Sequence, residues 1–167
     1  MDTTEKKAAI QDYYPDDFAH CYGCGRLNEN GMQLRTFWNE DESSTVTWYE
    51  PRDDQIAIPG FVYGGLLASF VDCHGTGTAA LMKHKMNGFL PEDGKDAPRF
   101  VTASLHLDYL KPTPHGMPLK ATGVVEEIHP KKFKVTVSVY VGTLHVVNGE
   151  VIAVQAPSSF DPSQKKS

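Results

Sequence analysis

Residues 63–85 read YGGLLASFVDCHGTGTAALMKHK, and the fold turns on how this stretch is read. Leu66, Leu67, Phe70, Val71, Ala79, Leu81 and Met82 recur at helical spacing. The pattern predicts one helix from Gly64 to about Lys85. About 20 residues at 1.5 Å each give a rod of roughly 30 Å. Ser69, Asp72, Thr76 and Lys83 follow at steps of three, four and seven, so they form one polar stripe. The rest of the helix surface is apolar or small. Such a helix is mostly buried, with one narrow seam left over. Gly75 and Gly77 either weaken it or mark close packing against a neighbour.

Everything outside this helix reads as strand or loop. Met32 to Glu40 and Thr45 to Glu50 are rich in Thr, Phe, Trp and Val and flank an acidic turn. They predict a hairpin with strands near 32–40 and 44–50. Beyond the polar loop 87–98, β-branched and aromatic residues predict strands at 100–110, 119–128, 133–147 and 151–160. Asn148-Gly149 is the strongest hairpin-turn signal, and Gly142 is read as a bulge. One hydrophobic helix needs several strands to shield it. The expected class is α+β, with an antiparallel sheet curled round the helix. The expected organisation is a loosely ordered segment at 1–17, one domain at 18–160 and a tail at 161–167.

The chain has 167 residues, 40% of them hydrophobic and 22% charged, which suits one globular domain. The net charge is −5, and its Lys and Arg residues are mostly scattered, so a nucleic-acid partner is not expected. No apolar run approaches the ~18 residues of a membrane helix. Residues 1–10 carry Asp, Glu and Lys where a secretion signal has its apolar core. Three cysteines, Cys21, Cys24 and Cys73, argue for free thiols in a reducing compartment, and the cytoplasm is the expected location. Cys21-Tyr22-Gly23-Cys24 has the spacing of a zinc half-site or a redox disulfide. With no second Cys or His pair, a structural turn with buried thiols is preferred, and no metal site is expected.

Chemistry points to the helix start. The first N–H groups of a helix lack intrahelical partners and lie at the positive end of its dipole. Gly64 and Gly65 there would let a ligand reach the backbone, as in an oxyanion hole, or simply form a glycine-rich helix entry. Asp72 is the only acidic residue between Asp54 and Glu92. In an apolar helix it is a catalytic carboxylate, one bonded to a nearby hydroxyl such as that of Thr76, or one exposed at the surface. Gly64 and Asp72 lie about 12 Å apart along the helix. A reacting group must come within roughly 3.5 Å of its target. Asp72 therefore cannot serve a carbonyl held at its own helix start, and a site using both requires two chains. His74, two residues on, falls on the opposite face and is expected to be structural.

Tyr63-Gly64-Gly65 followed by Asp72 resembles the His-Gly-Gly…Asp motif of hotdog-fold acyl-coenzyme A thioesterases, in their phenylacetate-degradation-like branch. Cys21-Tyr22-Gly23-Cys24-Gly25, Asn28, Gly31-Met32, Thr102 and Asp108-Tyr109-Leu110-Lys111-Pro112 are similar to further segments of that family, over residues 18–160. The resemblance implies hydrolysis of an acyl-coenzyme A thioester. In that scheme Gly65, with Gly64, polarises the carbonyl. Asp72 of a second subunit attacks or activates water, and Thr102 orients it. Lys111 and Arg99 would touch coenzyme A phosphates. Coenzyme A enters only as part of the substrate, and no cofactor is implied. The assembly implied is a homodimer or a dimer of dimers. The sequence departs from the motif at Tyr63, where the family has His. Tyr is no base near neutral pH. The alternatives are a non-catalytic acyl or acyl-coenzyme A binder and, behind it, a hotdog dehydratase.

Overall fold

The computed structural model describes residues 7–157 and 160. Its elements are β1 (Phe37–Trp38), β2 (Thr45–Tyr49), α1 (Gly64–Met86), β3 (Phe100–Tyr109), β4 (Leu119–His129), β5 (Lys132–Val141) and β6 (Leu144–Gln155). The strands form one antiparallel sheet in the order β1-β2-β4-β5-β6-β3. The sheet wraps α1, which is the hotdog arrangement.

β5 shows how the core is built. Phe133, Val135, Val137, Val139 and Val141 alternate inward along it, as period-two patterning requires. They meet Leu66, Phe70, Val71 and Leu81 of the helix in one continuous core. The helix sits very close to β6. A Cβ on Gly75 would lie 2.5 Å from Val151 Cγ2, and one on Gly149 would lie 2.5 Å from Val71 Cγ1. The two glycines thus each accommodate a valine from the opposite element. Among the described residues no helix is long and apolar enough to cross a membrane.

Three expectations are corrected. Asn148-Gly149 does not turn. Both residues lie inside β6, paired to Ser138 and Val137 on one side and to Asp108 and Leu107 on the other. The turn comes at Gly142-Thr143, where Gly142 has φ +57°. Gly149 serves space rather than backbone curvature. Second, β1 is two residues long, and the chain before it runs as an irregular segment. Third, the N-terminal segment is packed from Ala9 onward. Ala9, Ile10 and Tyr14 are buried, and Gln11 bonds Thr36 through both its amide nitrogen and its oxygen. The expected tail at 161–167 lies outside the described residues.

Candidate functional site

α1 begins at Gly64 with Tyr63 as its extended cap. The Leu66 N–H closes back on the Tyr63 carbonyl at 3.2 Å. The N–H groups of Gly64 and Gly65 come before the first intrahelical bond and are the donors open to a ligand. Gly65 is confined on one side, since a Cβ there would stand 2.5 Å from Tyr63 Cε2. Tyr109, at the end of β3, donates its hydroxyl to the Gly64 carbonyl at 2.7 Å. That bond fixes the first turn against the edge strand. A shallow groove of about 360 Å³ opens beside it, lined by Val62, Gly64, Leu67, Tyr109, Lys111 and Thr113 among others. Lys111 is thus placed at the helix start.

Asp72 stands two turns further on, half-buried on the seam of α1. The Thr102 hydroxyl donates to its Oδ1. Thr102 is exposed, at the irregularity in the β3–β6 ladder between Thr102 and Ser104. Burial pushes the Asp72 carboxyl above its usual range; the Thr102 bond opposes the shift, nearby Cys21 adds to it and Arg99 reduces it. A carboxylate that is desolvated yet still reachable is a stronger base than one in water.

Arg99 belongs to this end of the molecule, not to the groove. Its guanidinium lies 5.0 Å from the Tyr14 ring centroid, donates to the Phe100 carbonyl and comes within 3.9 Å of Cys24 Sγ. These contacts hold its guanidinium beside Tyr14 and Cys24. The structure therefore brings together Asp72 with Thr102, and separately Tyr63, Gly64, Gly65 and Lys111. The continuous helix between the two groups keeps them apart within one chain.

His74 is fully buried, as the helix geometry requires. Its Nε2 pairs with Thr45 Oγ1 at 3.0 Å and its Nδ1 with Thr47 Oγ1 at 2.7 Å. Burial pushes its pKa down to about 3, so the ring is neutral. Two features of the site were assigned no role by sequence reasoning. Tyr109 sits in the segment ending Lys111-Pro112, and its aromatic type at a strand end was the available signal. Cys73 lies 3.8 Å from Cys21, Sγ to Sγ, a contact across 52 residues that local pattern does not carry.

Comparison with known proteins agrees with this fold. A family model described as the thioesterase superfamily matches residues 59–148, more than half the chain. A crystal structure of a thioesterase superfamily protein from Shewanella loihica PV-4 is 37% identical, with a TM-score of 0.60, over 86% of this chain and all of that one. The E. coli PaaI protein of the phenylacetic acid degradation operon aligns at 14% identity and TM-score 0.54, over 69% of this chain and 74% of that one. A hypothetical thioesterase from Streptococcus pneumoniae TIGR4, solved with coenzyme A, aligns at 14% identity and TM-score 0.54, over 68% of this chain and 79% of that one. The last two speak to the fold alone. No curated protein matches the chain. The matched stretch includes the helix with Gly64, Gly65 and Asp72, the strand with Thr102, and Lys111, and on these grounds the chain belongs to the thioesterase superfamily.

Proposed function

We propose that this protein hydrolyses an acyl-coenzyme A thioester at a site shared between two copies of the chain. The observation that carries the reading is Asp72: a half-buried carboxylate, raised in pKa, held by one hydroxyl on the edge strand of the sheet. Self-association has its own support. β3 is a ten-residue edge strand, exposed over Thr102–His106, and a long open edge invites pairing. Large apolar side chains stand exposed on and near it, with Leu105 at 39%, Tyr109 at 54% and Tyr63 at 39%. A second copy against that edge would cover them. It would also set its helix start against Asp72.

The thioester carbonyl oxygen accepts from Gly65 N–H, with Gly64 beside it. Asp72 of the other copy takes a proton from water as the water oxygen bonds to the carbonyl carbon. The tetrahedral oxyanion stays on the glycine donors. It collapses with cleavage of the carbon–sulfur bond, and the coenzyme A thiolate leaves and takes up a proton. In a nucleophilic route Asp72 would bond to the carbonyl carbon and expel the coenzyme A thiolate, leaving a mixed anhydride; water attacking the Asp72 acyl carbon of that anhydride would release the free acid and leave solvent oxygen in the carboxylate. Lys111 lies beside the groove where an anionic coenzyme A tail would leave the helix start. The CoA-bound pneumococcal neighbour is in keeping with that ligand class. Three free thiols suit the reducing cytoplasm.

One observation favours a second reading. The Tyr63 ring crowds Gly65 and its hydroxyl is no base near neutral pH, which suits a binder that does not turn over. A panel of short, medium, long and aryl acyl-coenzyme A substrates, followed by release of free thiol, separates the two. Turnover on any member supports hydrolysis. Thermal stabilisation by a panel member with no thiol release anywhere would establish the binder instead.

A further inference from the structure

The cysteines were read from sequence as too few for a metal. The fold changes that count. Cys21 and Cys24 sit on one tight turn, closed by Gly25 N–H to the Cys21 carbonyl at 2.8 Å. That turn is tied to the following segment by Met32 N–H to the Tyr22 carbonyl and Leu34 N–H to the Gly23 carbonyl, at 2.8 and 2.9 Å. It lies on the middle of α1, where Cys73 points into it. A Cβ on Gly23 would collide with Cys73 Sγ, so the bare glycine is what lets the turn reach that thiol. The three Sγ atoms all lie within 4.8 Å of one another.

We propose that Cys21, Cys24 and Cys73 form a zinc site that clamps the N-terminal turn to the central helix, with solvent as the fourth ligand. The Cys21–Cys73 separation of 3.8 Å matches the edge of a tetrahedron with Zn–S bonds of about 2.3 Å, which is about 3.8 Å. The widest pair needs to contract by no more than about 1 Å to do the same. A disulfide uses two sulfurs, needs an S–S length near 2.05 Å, and leaves the third thiol without purpose. Zinc uses all three. Charge is also provided for. Three thiolates and Zn²⁺ sum to −1, and the half-buried Arg99 guanidinium stands 3.9 Å from Cys24 Sγ. Cys21 is the half-exposed member, so the open coordination position lies on its side. Asp72 is outside the group and keeps its bond to Thr102. Binding releases the remaining thiol protons to solvent, and no oxidant or reductant is required.

The test uses the full chain, reduced and stripped with a strong chelator, then titrated with Zn²⁺ and separately with Co²⁺. The expected result is one metal per chain, thiolate-to-cobalt charge-transfer bands with the d–d pattern of a tetrahedral site, and loss of thiol-reagent reactivity on zinc addition. Zinc at a hundredfold excess over its Kd should raise the thermal midpoint by roughly 5–10 °C. Cys21→Ser and Cys73→Ala should each lose the cobalt spectrum and the zinc-dependent shift. If Cys73→Ala fails to fold, Cys21→Ser, at a half-exposed position, gives the answer. A chain that binds no zinc while all three thiols stay reactive overturns the proposal. So does full zinc binding in Cys21→Ser, or ready closure of a disulfide by hydrogen peroxide in the zinc-loaded protein.

Discussion

Asp72 and His74 stand two residues apart on one helix and live in opposite worlds. His74 faces the sheet, fully buried, with both ring nitrogens paired to threonines of β2 and its charge suppressed. Asp72 faces the seam, half-buried, with one donor from an exposed strand and a carboxyl pushed up rather than settled. A buried polar group whose partners are all supplied by the fold is holding the fold. One that is partly desolvated and left with unused acceptor capacity is equipped for chemistry.

The sharpest break between the two is Asp72→Asn. It should cut turnover by roughly 10²–10⁴-fold, or further if Asp72 is the nucleophile, because the amide cannot take a proton or attack. Its thermal midpoint should stay close to that of the parent. Near-normal thiol release from the variant would remove Asp72 from the mechanism.

His74→Ala should do the reverse. It strands the Thr45 and Thr47 hydroxyls and opens a cavity, at a cost of about 2–4 kcal/mol in a urea melt, with turnover per folded molecule unchanged. The pH dependence follows with a definite sign. In the unfolded chain His74 protonates near 6.5, but in the fold only near 3. The unfolded state therefore binds more protons in that window, and stability falls as pH falls from 6.5 towards 3. Its slope approaches about 1.4 kcal/mol per pH unit from this residue. Comparing parent and His74→Ala melts across the window isolates it; equal slopes would show that His74 is not buried neutral.

Thr102→Val tests the hydroxyl donor on Asp72. Removing it should lower kcat/KM roughly three- to tenfold, a modest loss because the bond lies at the surface. It should also move the acid limb of the pH–rate profile to higher pH, since the lost hydrogen bond had favoured the ionised form. A limb that stays put would make Thr102 a bystander. Tyr63→Phe should have the smallest effect, under about tenfold, because in the proposed mechanism backbone N–H groups carry the carbonyl polarisation.

The helix was legible from sequence because its periodicity is local, and Asp72 because one acid in an apolar run stands out. Tyr63, Gly64 and Gly65 were placed correctly at its start for the same reason. Thr102 came through family resemblance. What failed to show was set by contact at a distance. Gly149 carries the chemistry of a turn, yet it is there because Val71 needs room. A sequence does not distinguish a glycine chosen for φ from one chosen for space. Tyr109 meets Gly64 across 45 residues, and Cys73 meets Cys21 across 52. Arg99 meets the Tyr14 ring from far along the chain, a contact that no local pattern carries.

The central claim is that Gly65 of one copy and Asp72 of another make one site, and complementation tests it directly. Gly65→Val, whose side chain would run into the Tyr63 ring, and Asp72→Asn are each prepared as inactive proteins, then unfolded, mixed in equal amounts and refolded together. Half of the resulting dimers are mixed, and each mixed dimer carries one intact site, so the account predicts recovery of about a quarter of the parent turnover. Mixed dimers confirmed by native mass spectrometry but as inactive as their parents would contradict the shared site.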